Sequence, residues 1–144
     1  MPDARIRHAI YKTFAEGGIP RTTTLCKQLR LQEPELRAAM DRLHNSHAIV
    51  LEPRTREPWM ALPFSSVPTA FSVEGGGRSW FANCAWDAFG IPILAGVDAV
   101  IHTTCPDCDG QIVYRIEERR IVDAHGVVHF AVPAKQWWDN IGYT

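Results

Sequence analysis

The 144-residue chain contains no uninterrupted apolar run of the length, about 18 residues, that a membrane-spanning helix needs. Its richest stretch, residues 89–101, is broken by Gly90, Pro92, Gly96 and Asp98. The opening residues, Met1-Pro2-Asp3-Ala4-Arg5-Ile6-Arg7-His8, lack the long apolar segment of a signal peptide. A basic excess is missing too. The formal net charge of −1 argues against a generic nucleic-acid binder. There is no internal repeat and no low-complexity tract. The expectation is a soluble, cytoplasmic protein, and in that compartment its four cysteines read as thiols or metal ligands rather than as a disulfide framework.

The residues present are those of a globular chain: 46% are hydrophobic and 22% charged, which disfavours disorder and coiled coil. Five Trp and six Phe provide the bulk of a core. Charge divides the chain. Residues 1–62 carry ten Lys/Arg against seven Asp/Glu, and residues 63–144 carry five against nine. A Pro/Ser-rich stretch, Pro63-Phe64-Ser65-Ser66-Val67-Pro68, lies at the crossover. These features suggest a module over 1–66 and a second domain over 67–144.

The first half reads as three helices and a hairpin. Ile6, Ile10 and Phe14 share a helical face that ends at Gly17-Gly18. Thr22 to Thr24 are placed to cap a short helix bearing Leu25 and Leu29. Pro34 suits the first turn of a third helix carrying Leu36, Met40 and Leu43. Residues 49–52 and 58–62 flank a polar turn, as in a hairpin. This is the order of a winged helix-turn-helix. Base contacts in such folds come from the N-terminal end of the third helix, which here reads Gln32-Glu33-Pro34-Glu35. Two carboxylates there would repel phosphate, so specific DNA binding is not expected and a structural or dimerising role is the better reading. A homodimer is left open.

The second half mixes strands and helices. Strands are predicted at 69–73, 97–103, 111–116 and 127–132, with a turn at Asp123-Ala124-His125-Gly126 before the last. Ser79 is placed to cap a helix running to about Phe89, stopped by Gly90-Ile91-Pro92. Pro133 opens a final helix or turn bearing Trp137 and Trp138. The fold class expected is α+β, with a small mixed or antiparallel sheet. Gly75-Gly76-Gly77 precedes the predicted helix but is followed by neither a Walker lysine nor dinucleotide-motif spacing. It reads as a flexible turn that sets the direction of the helix.

The chemistry-bearing residues are Cys84, Asp87, Cys105 and Cys108. Three apart on one helix, Cys84 and Asp87 fall on the same face, where thiol and carboxylate can converge on one ligand. A place early in the helix favours the thiolate. A soft thiolate beside a proton carrier suits a soft metal. The alternative is a buried structural cysteine beside a solvated aspartate. Cys105-Pro106-Asp107-Cys108 has the chelating spacing of half a zinc ribbon. A second Cys pair is lacking, so His102, His125 or His129 would have to complete a tetrahedral site; the alternative is a tight turn with two reduced thiols. Cys26 reads as core.

At Trp80-Phe81-Ala82-Asn83-Cys84-Ala85-Trp86-Asp87-Ala88-Phe89-Gly90-Ile91-Pro92, with Ala95-Gly96, the strand ending at Cys105 and Val132-Pro133, the sequence resembles the alkylmercury (organomercurial) lyases. The resemblance implies cleavage of a carbon–mercury bond by protonolysis, yielding a hydrocarbon and Hg(II) without an organic cofactor. It also implies a winged-helix-like N-terminal domain that does not read DNA. By resemblance Cys84 is the thiolate that attacks mercury and Asp87 the residue that protonates the carbon. Cys105 matches a position more structural than catalytic in the family, and Cys108 is an addition. The family's second catalytic cysteine follows the tryptophan-bearing segment, and residues 139–144 contain none. Three readings stay open: the sequence stops just short of that cysteine, Cys105 or Cys108 substitutes for it, or the protein is lyase-like with another role. The metal-binding residues expected are Cys84, Asp87, Cys105 and Cys108; the partner is a small organomercurial or a thiophilic metal. The competing reading is a thiolate-based metal-binding or metal-sensing protein without turnover.

Overall fold

The computed structural model describes residues 2–142. Three helices come first: α1 (Pro2–Ala15), α2 (Thr22–Leu29) and α3 (Glu33–Asn45). Ile6, Ile10 and Phe14 line one side of α1 and are almost wholly buried, as their four-residue spacing demands. Leu36, Met40 and Leu43 do the same on α3. Capping of α2 differs from expectation. Thr22 is the first helical residue and is buried, and the N-cap residue Arg21 makes no side-chain cap bond. Instead Glu57 reaches back from the hairpin, and its carboxylate accepts the Thr22 N–H at 2.8 Å. A negative charge at a helix N-terminus is favourable for the same electrostatic reason as a cap.

Eight strands follow in one antiparallel sheet: β1 (Val50–Leu51), β2 (Pro58–Ala61), β3 (Phe64–Ser65), β4 (Phe71–Gly75), β5 (Arg78–Ala82), β6 (Ala99–Thr104), β7 (Gln111–Glu117) and β8 (Arg120–Val122). Their spatial order is β1-β2-β3-β5-β4-β6-β7-β8. The sheet is wholly antiparallel, and it is larger than the second half of the sequence suggests because the N-terminal hairpin joins it. The link is β3, where Phe64 pairs with Ala82 and Ser65 with Phe81 of β5. Residues 66 and 67, the expected domain junction, fall between β3 and β4 of that continuous sheet.

Two expectations are corrected in this region. Residues 78–82 are strand, not the start of a helix, and Gly76-Gly77 forms the β4–β5 hairpin turn with both φ values positive, +57° and +72°. A two-residue turn of that hand matches the strand twist, and glycine adopts it without steric cost. Gly75 serves differently. A Cβ there would lie 2.3 Å from the Asp98 carbonyl oxygen, so β4 can approach the segment entering β6 only with glycine at that place. The helix itself, α4 (Ala85–Ala95), starts five residues later than predicted, with Cys84 rather than Ser79 at its cap position, and runs through Gly90 and Pro92 to a left-handed Gly96. Proline costs a helix one hydrogen bond. Burial of Ala88, Ile91 and Pro92 against the sheet offsets that cost.

The predicted last strand, 127–132, is absent. Val127 is 97% exposed, and the segment crosses the N-terminal end of α4 as a loop before a short 3-10 helix, α5 (Ala134–Asp139). Tyr114 donates its hydroxyl to the His125 carbonyl at 2.9 Å, and Trp137 donates its indole N–H to the Val132 carbonyl at 2.8 Å. No helix is long and apolar enough to cross a membrane among the described residues.

The helices are tied to the sheet at the end of α1, where the last carbonyls of a helix lack intrahelical donors. Trp80 donates its indole N–H to the Phe14 carbonyl at 2.7 Å, and Arg78 donates to Ala15 at 2.7 Å. Phe14 also stacks on Phe64, ring centroids 5.5 Å apart. Replacing Trp80 by Phe keeps an aromatic side chain but leaves the Phe14 carbonyl without its donor. The expected loss is about 1–3 kcal/mol, seen as a lower urea midpoint with an unchanged slope.

Candidate active site

The site forms where β5 ends and α4 begins. Cys84 is the N-cap residue, with extended backbone (φ −151°, ψ 179°), and its carbonyl accepts the Ala88 N–H at 3.0 Å as the first helical bond. Asp87 follows in the first turn. The thiol and the carboxyl face the same space. Together with Met60, Leu62, Phe130, Trp137 and Ile141 they border a cavity of 40 Å³. Cys84 also opens onto a larger cleft of 350 Å³ walled by Phe71, His129, Phe130 and Trp137. The thiol is thus reached from the larger cleft and the carboxyl sits behind it, under an apolar cover.

Electrostatics at the pair depart from the sequence expectation. Burial pushes the Cys84 thiol up, the N–H groups of Asp87 and Trp86 oppose that rise, and the Asp87 charge adds to it. The resting side chain is a thiol, because desolvation outweighs its favourable place at a helix N-terminus. Burial likewise pushes the Asp87 carboxyl up, against hydrogen bonds from Asn83 and Cys84 that favour the carboxylate. A carboxyl raised in this way binds protons more firmly than an exposed aspartate, as a proton carrier requires.

Asn83 is the residue that sequence reasoning passed over. Its Nδ2 donates to the Pro63 carbonyl at 3.2 Å, to the Phe64 carbonyl at 3.1 Å and to Asp87 Oδ2 at 3.3 Å. Two of these partners are carbonyls that can only accept, which fixes which end of the amide is nitrogen. Its Oδ1 is buried with no hydrogen-bond partner. Asn83 therefore anchors Asp87 to β3 and contributes an unpaired acceptor to a residue that lines both clefts. The only sequence signal was its place four residues before Asp87.

Cys105 and Cys108 occupy the β6–β7 turn, apart from Cys84 and Asp87. No cluster of three or more His, Cys, Asp or Glu suited to a metal exists among the described residues. The four expected ligands therefore form two pairs and not one site, and neither His102, His125 nor His129 completes a zinc ribbon. The physical reason is topological: Cys84 follows β5, whereas Cys105 and Cys108 follow β6, on the other side of β4 in the sheet. Neither clefts of Cys84 are lined by a second cysteine. In the turn, N–H groups of Asp107 and Cys108, together with the Cys108 thiol, hold Cys105 below the ordinary thiol range. Cys26 is half-buried on α2, beside the core.

Residues 64–144, more than half of the chain, match the family model described as MerB: Alkylmercury lyase. The chain belongs to the alkylmercury lyase family. The matched region contains the whole Asn83–Asp87 segment and the Cys105–Cys108 turn. A solved structure, the mercury-bound form of MerB2, is similar with a TM-score of 0.68 and 21% identity, covering 84% of this chain and 58% of that one. That likeness shows the fold of the alkylmercury lyases; the chain spans little more than half the length of MerB2. No curated protein matches the chain.

The raised Asp87 carboxyl has a consequence for this lyase-family fold. A carboxyl that binds its proton more tightly when folded lowers stability as pH rises from the ordinary aspartate range through its folded value. Asp87→Asn removes that linkage, and the Asn oxygen can still accept from Asn83. The variant is expected to melt at or above the parent temperature at pH 7, with the gap closing at acid pH. Thermal scans at the two pH values check this.

Proposed function

We propose that the protein cleaves the carbon–mercury bond of small organomercurials by protonolysis, with Cys84 as mercury ligand and Asp87 as proton carrier. The observation that carries the reading is a half-buried thiol and a half-buried carboxyl lining one cavity at the start of α4. Mercury prefers sulfur to the proton and to oxygen, so it displaces the Cys84 proton. The nearest base is Asp87, which takes that proton. A second thiolate, supplied by a small thiol in the larger cleft, adds to the metal and pushes electron density onto the carbon. Asp87 then returns the proton to that carbon. The carbon–mercury pair becomes the new carbon–hydrogen bond, and Hg(II) is left between two sulfurs. Charge balances, no electron is gained or lost, and Asp87 ends as the carboxylate it was. No organic cofactor is required.

A buried acid is favoured over bulk water because the apolar cover of Leu62, Phe130 and Ile141 keeps water from competing for the proton. The test is incubation of the chain with phenylmercury and excess small thiol, with benzene measured in the headspace. Benzene appearing at a rate above the thiol-only control supports the reading. Mercury bound tightly with no benzene above that control would move the protein to metal binding without turnover.

A further inference from the structure

Cys105 and Cys108 are not used by the reaction just described, and their turn is built in a particular way. The Cys105 N–H donates to the Gly110 carbonyl at 2.9 Å and the Asp109 N–H donates to the Cys105 carbonyl at 2.9 Å, closing residues 105–110 into a tight loop. Asp109 sits at φ +56°, which folds the chain back on itself. A Cβ on Gly110 would lie 3.3 Å from Cys108 Sγ, so the sulfur lies over the glycine backbone. The N–H groups of Asp107 and Cys108 and the Cys108 thiol favour the Cys105 thiolate and hold it below the ordinary thiol range. Both cysteines are free, and Cys108 is exposed.

We propose that Cys105 and Cys108 form a separate two-coordinate thiolate site for Hg(II). Two cysteines at chelating spacing on one hydrogen-bonded turn, with Cys108 Sγ over Gly110, make a chelate that needs little rearrangement. Asp107 and Asp109 share the turn, yet no group of three His, Cys, Asp or Glu is placed to hold a metal among the described residues, and that points to an ion content with two ligands. Structural zinc takes four protein ligands in a tetrahedron. Soft ions with filled d shells are content with two thiolates, and Hg(II) is the softest in reach of this fold. Binding forms two sulfur–mercury bonds and releases two thiol protons to solvent, with no change of oxidation state.

The position fits the same cargo. A 190 Å³ cavity runs from Pro106, inside the turn, to Phe71, Ala85 and His129, which also wall the cleft of Cys84. The turn and the cleft of Cys84 thus border adjoining space. The inference rests on the proposed reaction only for its choice of mercury as the ion.

The test uses the full chain with Cys84→Ser, loaded with Hg(II) and then held in millimolar glutathione. Intact-protein mass spectrometry counts the mercury retained. One Hg(II) per chain is expected, since a lone thiol such as Cys26 loses its metal to the competing thiol but a chelate keeps it. In the Cys84→Ser/Cys105→Ser/Cys108→Ser chain the count should fall to none. X-ray absorption on the loaded Cys84→Ser chain should find two sulfur neighbours. Loss of all mercury from the Cys84→Ser chain, or retention in the triple variant, would overturn the assignment. So would tight zinc binding with four ligands. Benzene release is read separately in chains with Cys84 intact, so either proposal can fail while the other stands.

Discussion

Asp87→Asn is expected to leave mercury on the protein while slowing hydrocarbon release by about 100- to 10,000-fold, the usual worth of a positioned general acid. The variant retains the Cys84 thiol and the hydrogen bond to Asn83, since the new carboxamide oxygen can still accept. What it loses is a group able to take the proton from sulfur and hand it to carbon. Binding and chemistry therefore separate in one substitution. The measurement is benzene release from phenylmercury beside a count of mercury per chain. Unchanged release would remove Asp87 from the reaction, and the raised carboxyl would then be only the result of its burial.

Cys84→Ser is expected to abolish hydrocarbon release to the thiol-only background and to lower the mercury count by one. Serine keeps the size and the N-cap position, and it is a better N-cap residue than cysteine, so the start of α4 is preserved. The hydroxyl is a hard ligand that holds its proton far more tightly than a thiol and gives mercury nothing to prefer over water. The contrast with Asp87→Asn is the informative part. One variant is loaded and slow, and the other is unloaded at that site and silent. Mercury retained at the Cys105–Cys108 turn does not confuse the comparison, because both variants carry that pair.

The helical half was legible because its apolar residues repeat at helical spacing: Ile6, Ile10 and Phe14 are buried on α1 as that spacing requires. Near the site the signals conflicted. Trp80-Phe81-Ala82 is too short an apolar run to show its period, and Ser79 resembles a helix cap. Only the pairing of Val73 with Trp80 across the glycine turn makes it a strand. Pro92 predicts a helix end, yet α4 passes through it, because tertiary burial of Ala88, Ile91 and Pro92 overrides the local cost. The 127–132 segment has strand-like residues but pairs with no strand of the sheet, and composition alone does not report pairing. The three-residue spacing of Cys84 and Asp87 was readable without the correct helix start, since it gives one shared face on the predicted helix and a cap-plus-first-turn pair on the observed one. Asn83 and the Glu57 contact with α2 were not readable, because each depends on a partner distant in sequence.

The most direct test of the account asks whether the carbon is still attached to the mercury on Cys84. Phenylmercury, a small thiol and the chain are mixed at equal amounts, and the mass of the protein adduct is followed with time. The account predicts that a phenylmercury adduct forms first on the chain and is replaced by a bare mercury adduct lighter by the phenyl group. With Asp87→Asn the first adduct should persist. A parent chain that holds intact phenylmercury as long as the Asp87→Asn chain does would contradict it.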